Sequence, residues 1–357
     1  MRKYKFLLFS IIVILFIGSL TSARINQKNV EIQSTSNDDF YFCHITDTHI
    51  RHKIVDKPEA TTKRLTKVLE KITSFEDPPA FVVITGDLCE WAGSDSIGAL
   101  NCQAFVSCFY EDDDQLYADS NLTIPVYTTP GNHDYVISRN LKNYHTYIDK
   151  NHIEDEDRYI ITYGKVSLFF MDTGPNYYAN PFILFEWHGV GLYDNDIEWL
   201  EEELINCVSP YKIILMHHPA VGEEQDLFIK NRQKFVDLCE DHDVEIVLAG
   251  HTHSAKVYDV NLNLYEVFPL NCSKYSTLYV QSDDCKQAIH YRNISFTGED
   301  IFIETNEEIE TINYENSEDK AYQNRLCTLI NYISILHINS EGAISWKSTF
   351  IPSSNIS

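Results

Sequence analysis

Five short apolar runs in this chain each stop on side chains able to hold a metal ion. Phe40–Thr46 ends at Asp47-Thr48-His49, and Ala80–Thr85 ends at Gly86-Asp87. Pro125–Thr129 runs through Pro130 into Gly131-Asn132-His133-Asp134. Tyr211–Met216 ends at His217-His218-Pro219, and Val244–Ala249 at Gly250-His251-Thr252-His253. Continuous apolar runs of this length read as strands buried on both faces. Open α/β sheets bind ligands beyond the carboxyl ends of such strands. The constraint is therefore severe: the fold must bring five strand ends to one place.

Each cluster alone has a bland reading. Asp-x-His can be a cap, Gly-Asp and Gly-Asn-His-Asp can be turns, and a His at a strand end can be a core residue. His251 and His253, two residues apart, share one side of an extended segment. The joint order, with an apolar β-run before every cluster, is what chance does not readily produce.

The segments between these runs read as helices. Pro58–Phe75 carries Leu65, Val68, Leu69 and Ile72 at helical spacing, with Pro58 near its start. Ile97–Tyr110, Asp194–Cys207 (Asp194 as cap; Ile197, Leu200 and Leu204 on one face) and Ile229–His242 complete the set. Arg158–Tyr163 and Val166–Asp172 flank Gly164-Lys165 as a hairpin. Beyond His253 the runs are short and β-like: Lys256–Val260, Leu264–Phe268, Ala288–Phe296 and Ile301–Glu304, then Leu326–Ile338 and Ala343–Ile351.

Imidazole and carboxylate suit iron, manganese and zinc better than calcium. Two such ions about 3.5–4 Å apart can activate water and clamp phosphoryl oxygens, and one carboxylate can bridge them because each oxygen carries two lone pairs. The ordered set resembles the calcineurin-like metallophosphoesterase superfamily, whose pattern is D-x-H, G-D, G-N-H-D/E, H and G-H-x-H. The resemblance runs from Asp47 to His253. It implies a four-layer α/β sandwich, two packed β-sheets flanked by helices, here with a β-rich C-terminal extension. It implies two transition metal ions (Fe, Mn or Zn), one held by Asp47, His49, Asp87 and His253, the other by Asp87, Asn132, His217 and His251. The family's His-x-Pro spacing selects His217 over His218. A metal-bridging hydroxide would attack a phosphate mono- or diester, and His133, oriented by Asp134, would assist the leaving oxygen.

Within the superfamily, purple acid phosphatases place a Tyr where this chain has Glu90, and lack the His of the first motif, present here as His49. ITDTHI and ITGDLCEWAG are similar to the branch containing cyclic-nucleotide phosphodiesterases, with Cys89 in place of that branch's Thr. The lead-in Gly191-Leu192, followed by Asp196, Trp199 and Leu200, is similar as well. The alternatives are a nucleotidase or nuclease of the same superfamily, or a non-catalytic module that keeps the fold. All nine motif positions are intact, which disfavours the last. His52 and His188 are further candidates to line the pocket.

The partner expected is a phosphate-ester small molecule or a lipid head group. With 28 Lys and Arg against 53 Asp and Glu, the net charge of −25 argues against duplex nucleic acid. Arg2, Lys3 and Lys5 precede an apolar stretch from Phe6 to Ile17 and small residues up to Ala23, the pattern of a signal peptide. The expected organisation is a signal peptide over 1–23, a polar tail over 24–38, the phosphoesterase domain over 39–270 and the extension over 271–357. That implies a secreted or extracytoplasmic protein with no stable membrane span after cleavage. Nine cysteines in an exported chain suggest disulfides, with Cys43 left free inside its strand. Sequons at Asn121, Asn271, Asn293 and Asn355 offer glycan sites.

Overall fold

Alternation along the apolar runs builds three hydrophobic layers from two sheets. In β7 (Tyr211–Leu215), Ile213 and Leu215 enter one core while Ile214 enters another, and all three are fully buried. In β3 (Val82–Thr85), Val83 enters the core shared with β7, whereas Val82 and Ile84 face the opposite way. Successive side chains of a strand point to opposite faces, so each run is covered on both sides. The computed structural model describes residues 30–32, 39–52, 60–93, 96–109, 124–135, 141–148, 157–174, 190–223, 228–286 and 289–308.

One sheet runs in the order β1 (Val30–Ile32), β5 (Tyr159–Tyr163), β6 (Val166–Phe170), β7, β8 (Ile246–Ala249), β11 (Leu278–Gln281), β9 (Lys256–Tyr258). The other runs β10 (Leu270–Asn271), β13 (Asp300–Glu308), β12 (Ile289–Thr297), β2 (Phe40–Ile45), β3, β4 (Val126–Thr129). Phe42, Val83, Leu168, Leu215, Leu248 and Ile294 from both sheets share the central core. On the outer face of the second sheet lies α1 (Ala60–Thr73), burying Leu65, Val68, Leu69 and Ile72, together with α2 (Ser96–Ser107). Outside the first sheet lie α3 (Asp194–Asn206) and α4 (Arg232–Asp241), burying Ile197, Leu200, Leu204, Phe235 and Leu238. The result is the expected helix–sheet–sheet–helix sandwich.

Pairing is parallel through β2–β3–β4 and through β6–β7–β8–β11. Parallel strands put their carboxyl ends on one edge, so all five clusters emerge together. The Gly164-Lys165 hairpin joins β5 to β6 as expected. Val30–Ile32, inside the stretch read as a polar tail, pairs with β5. β11 was not legible: four residues between polar neighbours, all buried between β8 and β9. Leu264–Phe268 is not a strand; Leu264 alone bridges to Tyr258, and Val267 is exposed. Asp194 does not cap α3. Asp196 accepts the Tyr193 N–H at 2.9 Å instead, while exposed Asp194 meets Lys234 and Asn231.

The proposed signal peptide, His188, Asn121, Asn355, Cys327 and the two final β-like runs lie outside the described residues. Among the described residues eight cysteines are thiols, Cys43 included, and Cys89 Sγ lies 4.0 Å from Cys102 Sγ. Asn293 sits within β12, its amide oxygen accepting from Cys43. Among the described residues no helix is long and apolar enough to cross a membrane.

Candidate dinuclear metal centre

Five of the seven proposed ligands sit on left-handed backbone: Asp47 (φ 53°), His49 (45°), Asp87 (48°), His251 (69°) and His253 (48°). Such conformations cost non-glycine residues of order 1–3 kcal/mol each and persist only where the surroundings over-determine them. Here the strand-end loops brace one another. Asp47 N–H donates to Gly86 O at 3.2 Å and His49 N–H to Asp87 O at 2.9 Å. His133 N–H donates to Asp87 Oδ1 at 2.8 Å, and His251 N–H to Asp47 Oδ2 at 2.9 Å. Thus the free oxygens of the two aspartates are aimed inward by bonds made to their partner oxygens.

The inward atoms form two clusters. In the first, His253 Nε2 is 3.2 Å from Asp47 Oδ1 and 3.4 Å from His49 Nε2. His49 Nε2 is 3.7 Å from both Asp47 Oδ1 and Asp87 Oδ2. In the second, His217 Nε2 is 3.2 Å from Asp87 Oδ2, 3.1 Å from Asn132 Oδ1 and 3.2 Å from His251 Nδ1. Ligands bonded at about 2.0–2.2 Å to one tetrahedral ion lie roughly 3.3–3.6 Å apart, so both clusters have the right span. The donor set also fits: imidazole nitrogens face each other and carboxylate oxygens, and Asp47 Oδ1 is buried without a hydrogen bond. A cation is what such a set of lone pairs accommodates. Asp87 Oδ2 belongs to both clusters, as a bridging carboxylate must.

Burial alone would raise Asp47 and Asp87, but His217 and the other imidazoles around them hold both well below the usual carboxylate range. Both carboxylates are therefore ionised at neutral pH. Burial opposes protonation of His217, yet Asp87 and Asp47 push it up to about 9. For His251, burial and the neighbouring His217 bring it down to about 4.

The ring nitrogens that face away from the clusters are also engaged. His217 Nδ1 lies 2.9 Å from Thr85 O, so the Nδ1 proton is held there, and in the neutral ring, the form that binds metal, Nε2 presents its lone pair. His49 Nδ1 lies 3.0 Å from Glu90 Oε2, and His253 Nδ1 lies 3.0 Å from Asp284 Oδ2. Glu90 was noted in sequence only as the residue where purple phosphatases have Tyr, and Asp284 carried no signal, since it belongs to no motif. His218 turns its Nδ1 to Thr173 Oγ1 at 2.7 Å, in keeping with His217 as the ligand of the pair. His52 is held through its backbone N–H by Asn101.

His133 lies beside the clusters, its side chain 29% exposed and its Nε2 4.0 Å from Asp87 Oδ2. Its orientation corrects the sequence reading. The ring is held by the Glu90 carbonyl, 2.9 Å from Nδ1, and not by Asp134. Asp134 is fully buried and accepts the N–H groups of Gly131 at 2.8 Å and of Leu88 and Cys89 at 3.3 Å. It ties the third strand-end loop to the second. Burial and the nearby Asp87 push its carboxyl up to about 7.

The family model for calcineurin-like phosphoesterases matches residues 40–255, more than half of the chain. The chain belongs to the calcineurin-like phosphoesterase family. Family membership makes it a metal-dependent phosphoric ester hydrolase. A probable cyclic nucleotide phosphodiesterase of Coxiella burnetii is 28% identical over 191 residues, 52% of this chain and 69% of that protein. One of Rhodococcus erythropolis is 23% identical over 222 residues, 60% of this chain and 64% of that protein. A probable glycerophosphodiester phosphodiesterase of Arcobacter nitrofigilis is 23% identical over 220 residues, 58% of this chain and 70% of that protein. The matched span contains every proposed ligand, and Asp284 lies beyond it.

Proposed function

We propose that this chain hydrolyses a small phosphodiester at a dinuclear centre held by Asp47, His49, Asp87, Asn132, His217, His251 and His253. The observation that carries the reading is Asp87 Oδ2, 3.7 Å from His49 Nε2 and 3.2 Å from His217 Nε2, which faces both clusters at once. The diester class is supported by the names of the three relatives, and export by the basic and then apolar N-terminus. Ions bound there would polarise the phosphoryl oxygens and activate water.

The chain's own residues supply the rest. The carboxylates of Asp47 and Asp87 stay ionised, and their outer oxygens are anchored by backbone N–H groups, so the donor set is preorganised. His133 and His253 are partly exposed members of the site, at 29% and 32%, and of these His133 is not needed as a ligand. With its Nδ1 proton given to the Glu90 carbonyl, the ring can donate from Nε2 only as imidazolium. In that form it would hydrogen-bond the departing oxygen and hand it a proton.

The test is metal analysis coupled to a substrate panel: bis-p-nitrophenyl phosphate, p-nitrophenyl phosphate, cyclic nucleotides and glycerophosphodiesters, each with Mn or Zn. The expected result is two ions per chain and diesters turned over faster than monoesters. Asp87→Ala should abolish turnover and lower occupancy at both positions. A chain with both ions bound that turns over no diester, or prefers monoesters, overturns the diester reading. An Asp87→Ala variant with two ions and full turnover overturns the bridge.

A further inference from the structure

A segment outside every motif reaches the metal centre from behind. Ser282 N–H donates to Ala249 O at 3.0 Å, and Cys285 N–H donates to Thr46 O at 3.1 Å. The chain after β11 is thus stitched to the residue before Gly250 and to the residue before Asp47. Between these two anchors stands Asp284, 3% exposed, with Oδ2 3.0 Å from His253 Nδ1. One step further, Lys286 Nζ donates at 3.2 Å to Glu90 Oε2, the same oxygen that lies 3.0 Å from His49 Nδ1. Five residues therefore support both histidines of the first cluster. In the second cluster, by contrast, His217 Nδ1 meets only a backbone carbonyl, that of Thr85.

We infer that Asp284 is a positioning residue for the first ion: its carboxylate holds the His253 Nδ1–H, so that Nε2 presents its lone pair to the ion it would share with Asp47 and His49. The inference rests on the dinuclear reading of the site. His253 needs such a partner. Its side chain is 32% exposed, and an imidazole ring can exchange Nδ1 and Nε2 by rotation when water satisfies either nitrogen. A buried carboxylate on one nitrogen removes that freedom and strengthens the other as a donor to metal. The converse also holds. A carboxylate this buried must be paired to be tolerated, and the imidazole N–H is a charge-assisted partner for it.

The experiment strips metal from the full chain and titrates it with Zn against a competing chelator, counting ions by mass spectrometry. The wild type is compared with Asp284→Ala, Asp284→Asn and Asp284→Glu, each also in a His253→Ala background. Losing a carboxylate partner of a metal-bound His typically costs about 10- to 100-fold in metal affinity. Asp284→Ala should lose that factor at one site and keep the wild-type affinity at the other, and the retained ion reports an intact fold. Asp284→Asn should lose less, because its amide oxygen still accepts the N–H while the charge is gone. Asp284→Glu should recover part of the loss. In the His253→Ala background Asp284→Ala should cost nothing further, because the two residues act as one unit.

Wild-type affinity at both sites in Asp284→Ala, or fully additive losses in the double variant, overturns the role of Asp284. If Asp284→Ala fails to fold, Asp284→Asn decides by the same readout, and wild-type affinity at both of its sites overturns the role. A wild-type chain that binds fewer than two ions overturns the dinuclear reading itself, before any variant is compared.

Discussion

Gly86 precedes Asp87, the proposed bridge, and replacing it with Ala should cost the second proposed ion site more than it costs the fold. Two terms contribute. Gly86 has φ +79°, and left-handed backbone costs an L-residue about 1–2 kcal/mol. A Cβ there would stand 2.5 Å from His217 Cγ and 2.7 Å from His217 Cβ. That ring is fully buried, hydrogen-bonded to Thr85 O and 3.1 Å from Asn132 Oδ1, with the His218 and His251 rings at 4.9 and 5.1 Å. It has nowhere to retreat without breaking the cluster. Overpacking of this kind costs roughly 1–3 kcal/mol, so the total is roughly 2–5 kcal/mol. The steric term alone, expressed as lost affinity at the second cluster, is roughly 5-fold to 160-fold.

Gly164→Ala is the control. It shares a positive φ, +56°, but its Cβ would meet only Phe40 Cε1 at 4.0 Å. It should show the backbone cost alone, with both ions retained. The assay is a thermal melt of the stripped protein and a metal titration for both variants. A Gly86→Ala chain that melts like Gly164→Ala and binds both ions as the wild type does would refute the steric argument.

Three further outcomes are expected. His133→Ala should lose most of a general-acid factor of about 10²–10⁴ on alkyl or nucleoside esters and much less on p-nitrophenyl esters. A plot of log rate against leaving-group pKa should steepen at unchanged metal content, and parallel plots would remove His133 from that place. Burial pushes the Glu245 carboxyl up to about 7 from 4.5, against the Lys212 N–H bond. A folded value above the unfolded one gives stability that is full below about pH 4.5 and lost as pH rises through 7. Glu245→Gln should therefore gain on the wild type between pH 5 and 8, by on the order of 1–2 kcal/mol after allowing for partial exposure. Urea melts at both pH values check this, and a pH-independent difference counts against it. With Glu90 where purple phosphatases have Tyr, the iron-loaded protein should show no phenolate charge-transfer band in its visible spectrum.

The sequence by itself determined the buried strands and the metal-capable residues at their ends, because both are written locally. A strand buried on two faces is a short apolar run wherever it occurs, as in Val82–Thr85, and α1 shows its buried face in the spacing of Leu65, Val68, Leu69 and Ile72. Metal-capable residues directly after such runs need only parallel pairing to converge. What lay beyond sequence depends on contacts between segments far apart in the chain. β11 has four residues and no periodicity to display; it is a strand because β8 and β9 leave a place for it. The hold on His133 falls to a backbone carbonyl, which no side-chain pattern records, and Asp134 is spent on three backbone N–H groups of neighbouring loops. Asp284 reaches His253, 31 positions earlier in the chain, only because β11 returns the chain to the open edge. Local pattern specifies which groups can bind a cation. The packing of the sheets decides which atom of each group faces the ion, because orientation is set by the partner on its far side.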